Sequence, residues 1–196
     1  GWMETCFVGD SSQGKSALPE NILKLIGINN RVAGGSTTIA GLIGGVGKHD
    51  DNQFISWGIM PNSDKTILFI DELQLLQQNQ EALMALREIR SNGQAVITKI
   101  RKGSKPCRVR LIASANPNKG LEMHSFRRGC HAIATIMQPP DMRRFDIFQL
   151  FFQGEVPAED ALQENTNEKI EVSPKMLRTA VQWAWTRGYQ DIKFTP

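Results

Sequence analysis

The sequence predicts an α/β domain with a central, mostly parallel sheet flanked by helices. Three observations carry that expectation. Short apolar runs alternate with segments of helical periodicity, a glycine-rich loop separates the first run from the first helix, and a later apolar run ends in two adjacent carboxylates. The 196 residues suffice for one ordinary domain with a core and a small appendage. With 40% apolar and 22% charged residues the chain has the balance of a folded globular protein, which excludes a disordered class. No stretch reaches the roughly 18 apolar residues of a membrane span, and no signal-peptide pattern opens the chain. Cys6, Cys107 and Cys130 are odd in number and far apart, which excludes a disulfide framework and points to an intracellular, reducing compartment, cytoplasmic or nuclear.

The elements follow in order. Met3–Val8 is short and mostly apolar and runs into Gly9, the pattern of a buried strand entering a turn. Residues 15–26 place Leu18, Ile22, Leu25 and Ile26 on one side of a helix that Gly27 stops; Pro19 is tolerated only in its first turn. Residues 33–47 hold six glycines, too many for a helix interior at roughly 1 kcal/mol each relative to alanine, and predict a loop or strand-and-loop excursion. Lys65–Ile70 is a second buried strand, and residues 80–91 return to helical spacing through Leu83, Leu86 and Ile89.

Ala95–Ile100, a turn at 102–106 and Arg108–Ala115 predict a β-hairpin whose second arm becomes a buried strand; Phe145–Phe152 is a further strand. Residues 1–155 form the α/β core in this division, 156–172 an acidic connector, and 173–196 an appended helical segment. Ser173-Pro174 provides an N-cap and a first-turn proline, with Leu177, Ala180, Val181 and Ala184 as the expected inward stripe.

Residues 9–16, Gly9-Asp10-Ser11-Ser12-Gln13-Gly14-Lys15-Ser16, match G-x-x-x-x-G-K-[ST] between a predicted strand and a predicted helix. Such a loop turns backbone N–H groups toward an anion at a helix N-terminus, whose dipole favours negative charge. The expected nucleotide cradle runs from Gly9 to Ala17, with Lys15 on the β- and γ-phosphates and the Ser16 hydroxyl on Mg²⁺. Leu68-Phe69-Ile70 then ends in Asp71-Glu72, presenting carboxylates where open α/β sheets bind ligands. Asp71 is the second candidate magnesium residue, and Glu72 the candidate for activating the attacking water. Asn116 ends a third apolar strand; its amide suits the γ-phosphate or that water, although Asn-Pro is also an ordinary turn. His124, Cys130 and His131 lack the second ligand pair that a zinc site needs and read as structural or surface residues.

These features in this order resemble the AAA+ ATPases, and within them the minichromosome maintenance (MCM) replicative helicases, over nearly the whole chain. GDSSQGKS is followed by GGSTTIAGL (34–42), ILFIDEL (67–73), a basic hairpin, LIASANP (111–117) and MRRFDIF (142–148). The segment 54–72 resembles that family's excursion after the second helix. The resemblance implies an AAA+ P-loop fold with a hairpin before the sensor strand and a helical C-terminal lid beginning at residue 173. It also implies ATP and Mg²⁺ as cofactors, a hexameric homo-oligomeric ring in the full-length protein, and DNA, single- or double-stranded, as partner. It places Arg144 as an arginine finger acting in trans, and Lys102 as the hairpin lysine that tracks DNA. Residues 55–59, around a packed Trp57, correspond to a second channel-facing loop. Gly14 stands where MCM proteins usually carry alanine, and the chain reads as an ATPase core whose hydrolysis alone is expected to be feeble. The alternative is an AAA+ remodelling ATPase of the chelatase or MoxR type, acting on protein rather than DNA.

The charge pattern agrees with the hairpin's expected partner. Residues 85–130 hold eleven Lys/Arg against two acids, +9 within a chain of formal charge +3, so the other 150 residues carry −6. Lys99, Arg101, Lys102 and Lys105 are the expected DNA-binding residues, a strip that would meet phosphates with little sequence preference and strong salt dependence.

Overall fold

The computed structural model describes residues 2–50, 52–76, 78–98, 101–117, 121–155 and 172–191. Along the chain these form β1 (Thr5–Gly9), α1 (Ala17–Ile26), β2 (Arg31–Ala33), α2 (Ile39–Leu42), β3 (Gly44–His49), β4 (Asn52–Trp57), α3 (Ile59–Asn62) and β5 (Ile67–Asp71). Next come α4 (Leu73–Leu76), α5 (Gln80–Asn92), β6 (Gln94–Ile97), β7 (Gly103–Pro106), β8 (Arg110–Ala115), α6 (Cys130–Ile136), α7 (Pro139–Met142), β9 (Ile147–Phe151) and α8 (Pro174–Trp185).

Five strands make one sheet in the order β2-β5-β8-β1-β9, with every pair parallel. Parallel strands covered on both faces read as continuous apolar runs rather than alternation. Accordingly Cys6, Val8, Leu68, Phe69, Ile70, Leu111, Ala113 and Ala115 are all buried. Helix α5 follows the same economy: Asn79 caps it by accepting from the Ala82 N–H at 3.1 Å, Gly93 ends it left-handed, and Ala82, Leu83, Leu86 and Ile89 face the core. Each such aliphatic side chain contributes roughly 1.5–3 kcal/mol on burial.

The strand order fixes where a ligand can sit. The chain leaves β1 through α1 toward β2 on one side, and leaves β8 through α6 and α7 toward β9 on the other. Neighbouring strands whose connections diverge leave a crevice at their C-terminal ends. That crevice lies between the tips of β1 and β8.

Two expectations need correction. The hairpin arms are β6 and β7, a separate two-stranded sheet with Ala95 opposite Lys105; β8 pairs instead with β5 and β1. Gly103-Ser104-Lys105-Pro106 has turn-like composition but forms an arm, because an edge strand tolerates the proline's missing donor. The glycine-rich stretch does hold the strand-and-loop excursion that the sequence predicts, β3 pairing with β4, with one addition, the short α2 capped by Thr38. In α8 no residue is buried: Leu177 and Val181 are half-covered, while Ala180 and Ala184 are exposed. This helix rests on α1 through contacts such as Arg178 against Gly27, with the Arg110 guanidinium 4.9 Å from the Trp185 ring. Of the connector expected at 156–172, residues 156–171 lie outside the described residues.

Candidate ATPase site

The loop after β1 carries two left-handed residues, Ser12 at φ 62° and Gly14 at φ 76°. Glycine adopts such a conformation without penalty, so Gly14 suits the tight curl. Ser16 occupies the N-cap of α1 yet makes no capping hydrogen bond. Its hydroxyl donates instead to Asp71 Oδ1 at 2.7 Å, leaving the first-turn N–H groups of α1 without a side-chain cap from Ser16. The phosphate-loop helix and the acidic strand therefore meet directly, although β1, which leads into the loop, and β5 are separated in the sheet by β8.

Lys15 is buried, and its ammonium donates to the Asp10 carbonyl. Burial pulls its pKa down, against the attraction of the Asp10 and Asp71 carboxylates, so Lys15 and Asp71 share one electrostatic site. Asp71 itself is buried at the end of β5. Burial pushes its carboxyl up, but hydrogen bonds from Ser114, Ser16 and Arg31 outweigh that and hold it below the usual carboxylate range.

Glu72 is exposed and left-handed, at φ 54°. A non-glycine residue there is strained, and surrounding contacts must hold it. The Glu72 N–H donates to Ser114 Oγ at 3.1 Å. Gly34 passes so close that a Cβ would stand 2.4 Å from the Glu72 carbonyl oxygen. The Gly34 N–H also donates to the Asp71 carbonyl at 2.7 Å, so only glycine fits the strand end that braces the acids.

Asn116 follows β8, and its backbone N–H donates to Gln74 Oε1 at 3.2 Å. It borders a cavity of about 810 Å³ at the tips of β1 and β8, lined also by Asp10, Ser11, Leu75, Leu121 and Glu122. Lys15, Ser16 and Asp71 are not part of its lining; the Ser16 hydroxyl is turned to Asp71 and the Lys15 ammonium to the Asp10 carbonyl.

Asp10 has a structural part that the motif alone did not announce. Its carboxylate is buried and accepts the Met123 N–H at 2.8 Å and the Gln153 N–H at 3.0 Å. The side chain is a pin joining the loop to two distant segments, and the backbone N–H donates to the Phe151 carbonyl at 3.3 Å, so that donor is not free for a cradle. Ser11, Ser12 and Gly14 are exposed on the loop and Ala17 at the start of α1, Gln13 is half-buried with its amide donating to the Ser11 carbonyl at 3.3 Å, and Gly9 is buried in β1.

Arg144 lies just before β9, at the sheet edge where Thr5 pairs with Ile147, whereas the loop follows the opposite edge, where Gly9 pairs with Phe151. The five residues of β9 separate the two ends by about 16 Å at roughly 3.3 Å per residue. Arg144 donates to Ser91 Oγ at 2.7 Å and to the Pro140 carbonyl at 3.1 Å; its buried Nε has no hydrogen-bond partner among the described residues.

The basic block divides. Arg87 pairs with Asp141, Arg90 with the buried Glu4, and Arg108 with Asp64, so these cations serve the fold. Arg101 and Lys102 are exposed at the hairpin tip, while Lys105 is half-buried and donates to Asn62 Oδ1 at 2.6 Å. Lys99 lies outside the described residues. Trp57 is half-buried against the core.

Sequence reasoning missed Ser114 and Arg31. Ser114 Oγ donates to Asp71 Oδ1 while accepting from Glu72, so one hydroxyl holds both acids. Arg31 donates to Asp71 Oδ2 at 2.7 Å.

A parallel sheet of this order, with the phosphate loop on β1 and the acids on β5, defines a P-loop ATPase core of the AAA+ class. The family model of the MCM P-loop domain matches residues 1–167, and the chain belongs to that family. It is an MCM-type AAA+ ATPase core, of a family of nucleotide-hydrolysing motors. No curated protein matches the chain. Among the described residues no helix is long and apolar enough to cross a membrane.

Proposed function

We propose that this domain hydrolyses ATP with Mg²⁺ and couples hydrolysis to movement along DNA, as part of a homo-oligomeric, hexameric ring. The observation that carries the reading is the 2.7 Å contact from Ser16 to Asp71 beside the buried Lys15. A hydroxyl and a carboxylate oxygen at that distance are hard oxygen donors of the kind magnesium takes, with phosphates and water supplying the remainder. Ser16 and Asp71 would hold the ion, which supplies neutralisation of phosphate charge when bound. The backbone from Gly9 to Ala17 would cradle the phosphates at the N-terminus of α1, and Lys15 would leave the Asp10 carbonyl for the β- and γ-phosphates.

Glu72, braced by Ser114, would orient and deprotonate the attacking water, and Asn116 would donate to that water or to the γ-phosphate. Arg144 cannot serve its own loop from the opposite edge of the sheet, which supports a role at a neighbouring subunit's nucleotide. Arg101, Lys102, Lys105 and Lys99 are the proposed DNA contacts. Residues 1–155 are taken as the ATPase core, 156–172 as a connector and 173–196 as the start of the lid.

The test is ATP turnover by the full-length protein with and without single-stranded DNA. Turnover stimulated by DNA, lost in Lys15→Ala and in Arg144→Ala but restored in part by mixing the two variants in one ring, is the expected outcome. Turnover indifferent to DNA in assembled rings would transfer the motor to a protein substrate.

A further inference from the structure

Asp71 is gripped on both oxygens, and the two grips differ in kind. Oδ1 takes the hydroxyls of Ser16 and Ser114; Oδ2 takes the Arg31 guanidinium at 2.7 Å. The sheet register dictates the second contact. Arg31 stands opposite Phe69 in the β2–β5 pair, and Asp71 lies two residues further along β5, so both project from one face. A diagonal cross-strand neighbour is within reach of a long side chain.

The guanidinium has further anchors. Arg31 Nη1 pairs with Glu20 Oε1 at 2.8 Å, and the Arg31 side chain lies 6.0 Å from the centre of the buried Phe69 ring. Glu20 belongs to the first turn of α1, the helix that begins after Ser16. Arg31 thus links α1, β2 and β5 around one carboxylate. A planar fork can hold two acids in fixed directions, which a point charge cannot.

We propose that Arg31 is a positioning residue for the divalent-cation site: it fixes Oδ2 so that Oδ1 faces Ser16, and ties this orientation to α1 through Glu20. The inference rests on the reading of Ser16 and Asp71 as the magnesium residues. The Arg31 side chain is 45% exposed and that of Asp71 10%. Without Arg31 the Ser16 and Ser114 hydroxyls still hold Oδ1, so the loss is expected in cation affinity, and Tm measured on the same variants reads any share that belongs to the fold. Partners that orient a ligating carboxylate typically change metal affinity by about 10–100-fold when removed.

The experiment titrates Mg²⁺ against binding of a fluorescent ADP analogue by the full-length protein, with a parallel measurement in EDTA. In Arg31→Ala the Mg²⁺ concentration for half-maximal binding should rise about tenfold, while affinity in EDTA stays within about twofold of wild type. Arg31→Lys should recover part of the shift. Arg31→Gln, closer in length, should reproduce the alanine shift and serves where Arg31→Ala does not fold. An unchanged Mg²⁺ dependence in the Ala and Gln variants overturns the proposal, as does an equal loss of affinity in EDTA and in Mg²⁺. Asp71→Asn separates the two levels. If it abolishes the Mg²⁺ dependence while the Arg31 variants are silent, only this inference fails. If it too is silent, the magnesium reading fails.

Discussion

The C-terminal edge of the sheet and the hairpin β6–β7 both carry the charge that the proposed function assigns to a phosphate-bearing partner, and they are built in opposite ways. At the sheet edge Asp71 is fixed by Ser16, Ser114 and Arg31, Lys15 by the Asp10 carbonyl, and the backbone that carries the exposed Glu72 side chain by Ser114. At the hairpin the hydrogen-bonded anchors among the described residues lie toward the root: Cys107 N–H donates to the Gly93 carbonyl at 2.8 Å, Arg108 pairs with Asp64 and Lys105 donates to Asn62. Its tip leaves Arg101 and Lys102 exposed. Chemistry on a phosphate needs preorganised groups, because misplacement removes transition-state stabilisation. Contact with a polyanion backbone needs charge within reach and no fixed geometry. In the proposed function the two regions divide those demands.

The largest way to break this comparison is at the fixed end. Glu72→Gln keeps size and hydrogen bonding but cannot accept the water's proton. Turnover should fall by about 10²–10⁴, with ADP-analogue affinity held within about twofold. Turnover within a few fold of wild type would remove Glu72 from the reaction and leave its left-handed backbone without a catalytic explanation.

At the hairpin the expected effect is smaller and salt-dependent. Removing two phosphate contacts with Arg101→Ala/Lys102→Ala should lower the slope of log affinity against log salt for single-stranded DNA by about 1.4, at roughly 0.7 per contact. ATP turnover without DNA should not change, because neither residue lies at the sheet edge. An unaltered slope would place DNA elsewhere.

What could be read beforehand follows the same division. The phosphate loop and the β5 acids were legible because their chemistry depends on residues adjacent in sequence, between elements with strong apolar signals. Arg31 and Ser114 were not, because their roles exist only across strands. The strand Arg31-Val32-Ala33 is too short to show a period, and Ser114 sits in an apolar run like any small residue. Asp10 was legible as part of the motif, but its side-chain direction is set by Met123 and Gln153, more than a hundred residues away. The hairpin was legible as a hairpin; its arms were displaced because Gly103 and Pro106 have the composition of a turn.

The smallest effect tests the hairpin's root. Asp64 accepts the Arg108 backbone N–H at 2.7 Å, Nε at 3.0 Å and Nη2 at 2.6 Å. The Arg108 side-chain hydrogen bonds hold the Asp64 carboxyl below the usual carboxylate range, against the upward push of burial. A carboxyl depressed in the folded state stabilises the fold at pH above its unfolded value of about 4, and that contribution is lost as pH falls through the depressed folded value. Asp64→Asn should therefore lower Tm at pH 7 by no more than a few degrees, and the gap from wild type should close as pH is taken below about 4. The salt slope for DNA should stay at the wild-type value, because the tip cations are untouched. A Tm gap that persists unchanged at low pH would assign Asp64 a geometric rather than an electrostatic hold on the root. A changed slope would mean that the exposed tip depends on its root, and that the two regions are less separate than their hydrogen bonding indicates.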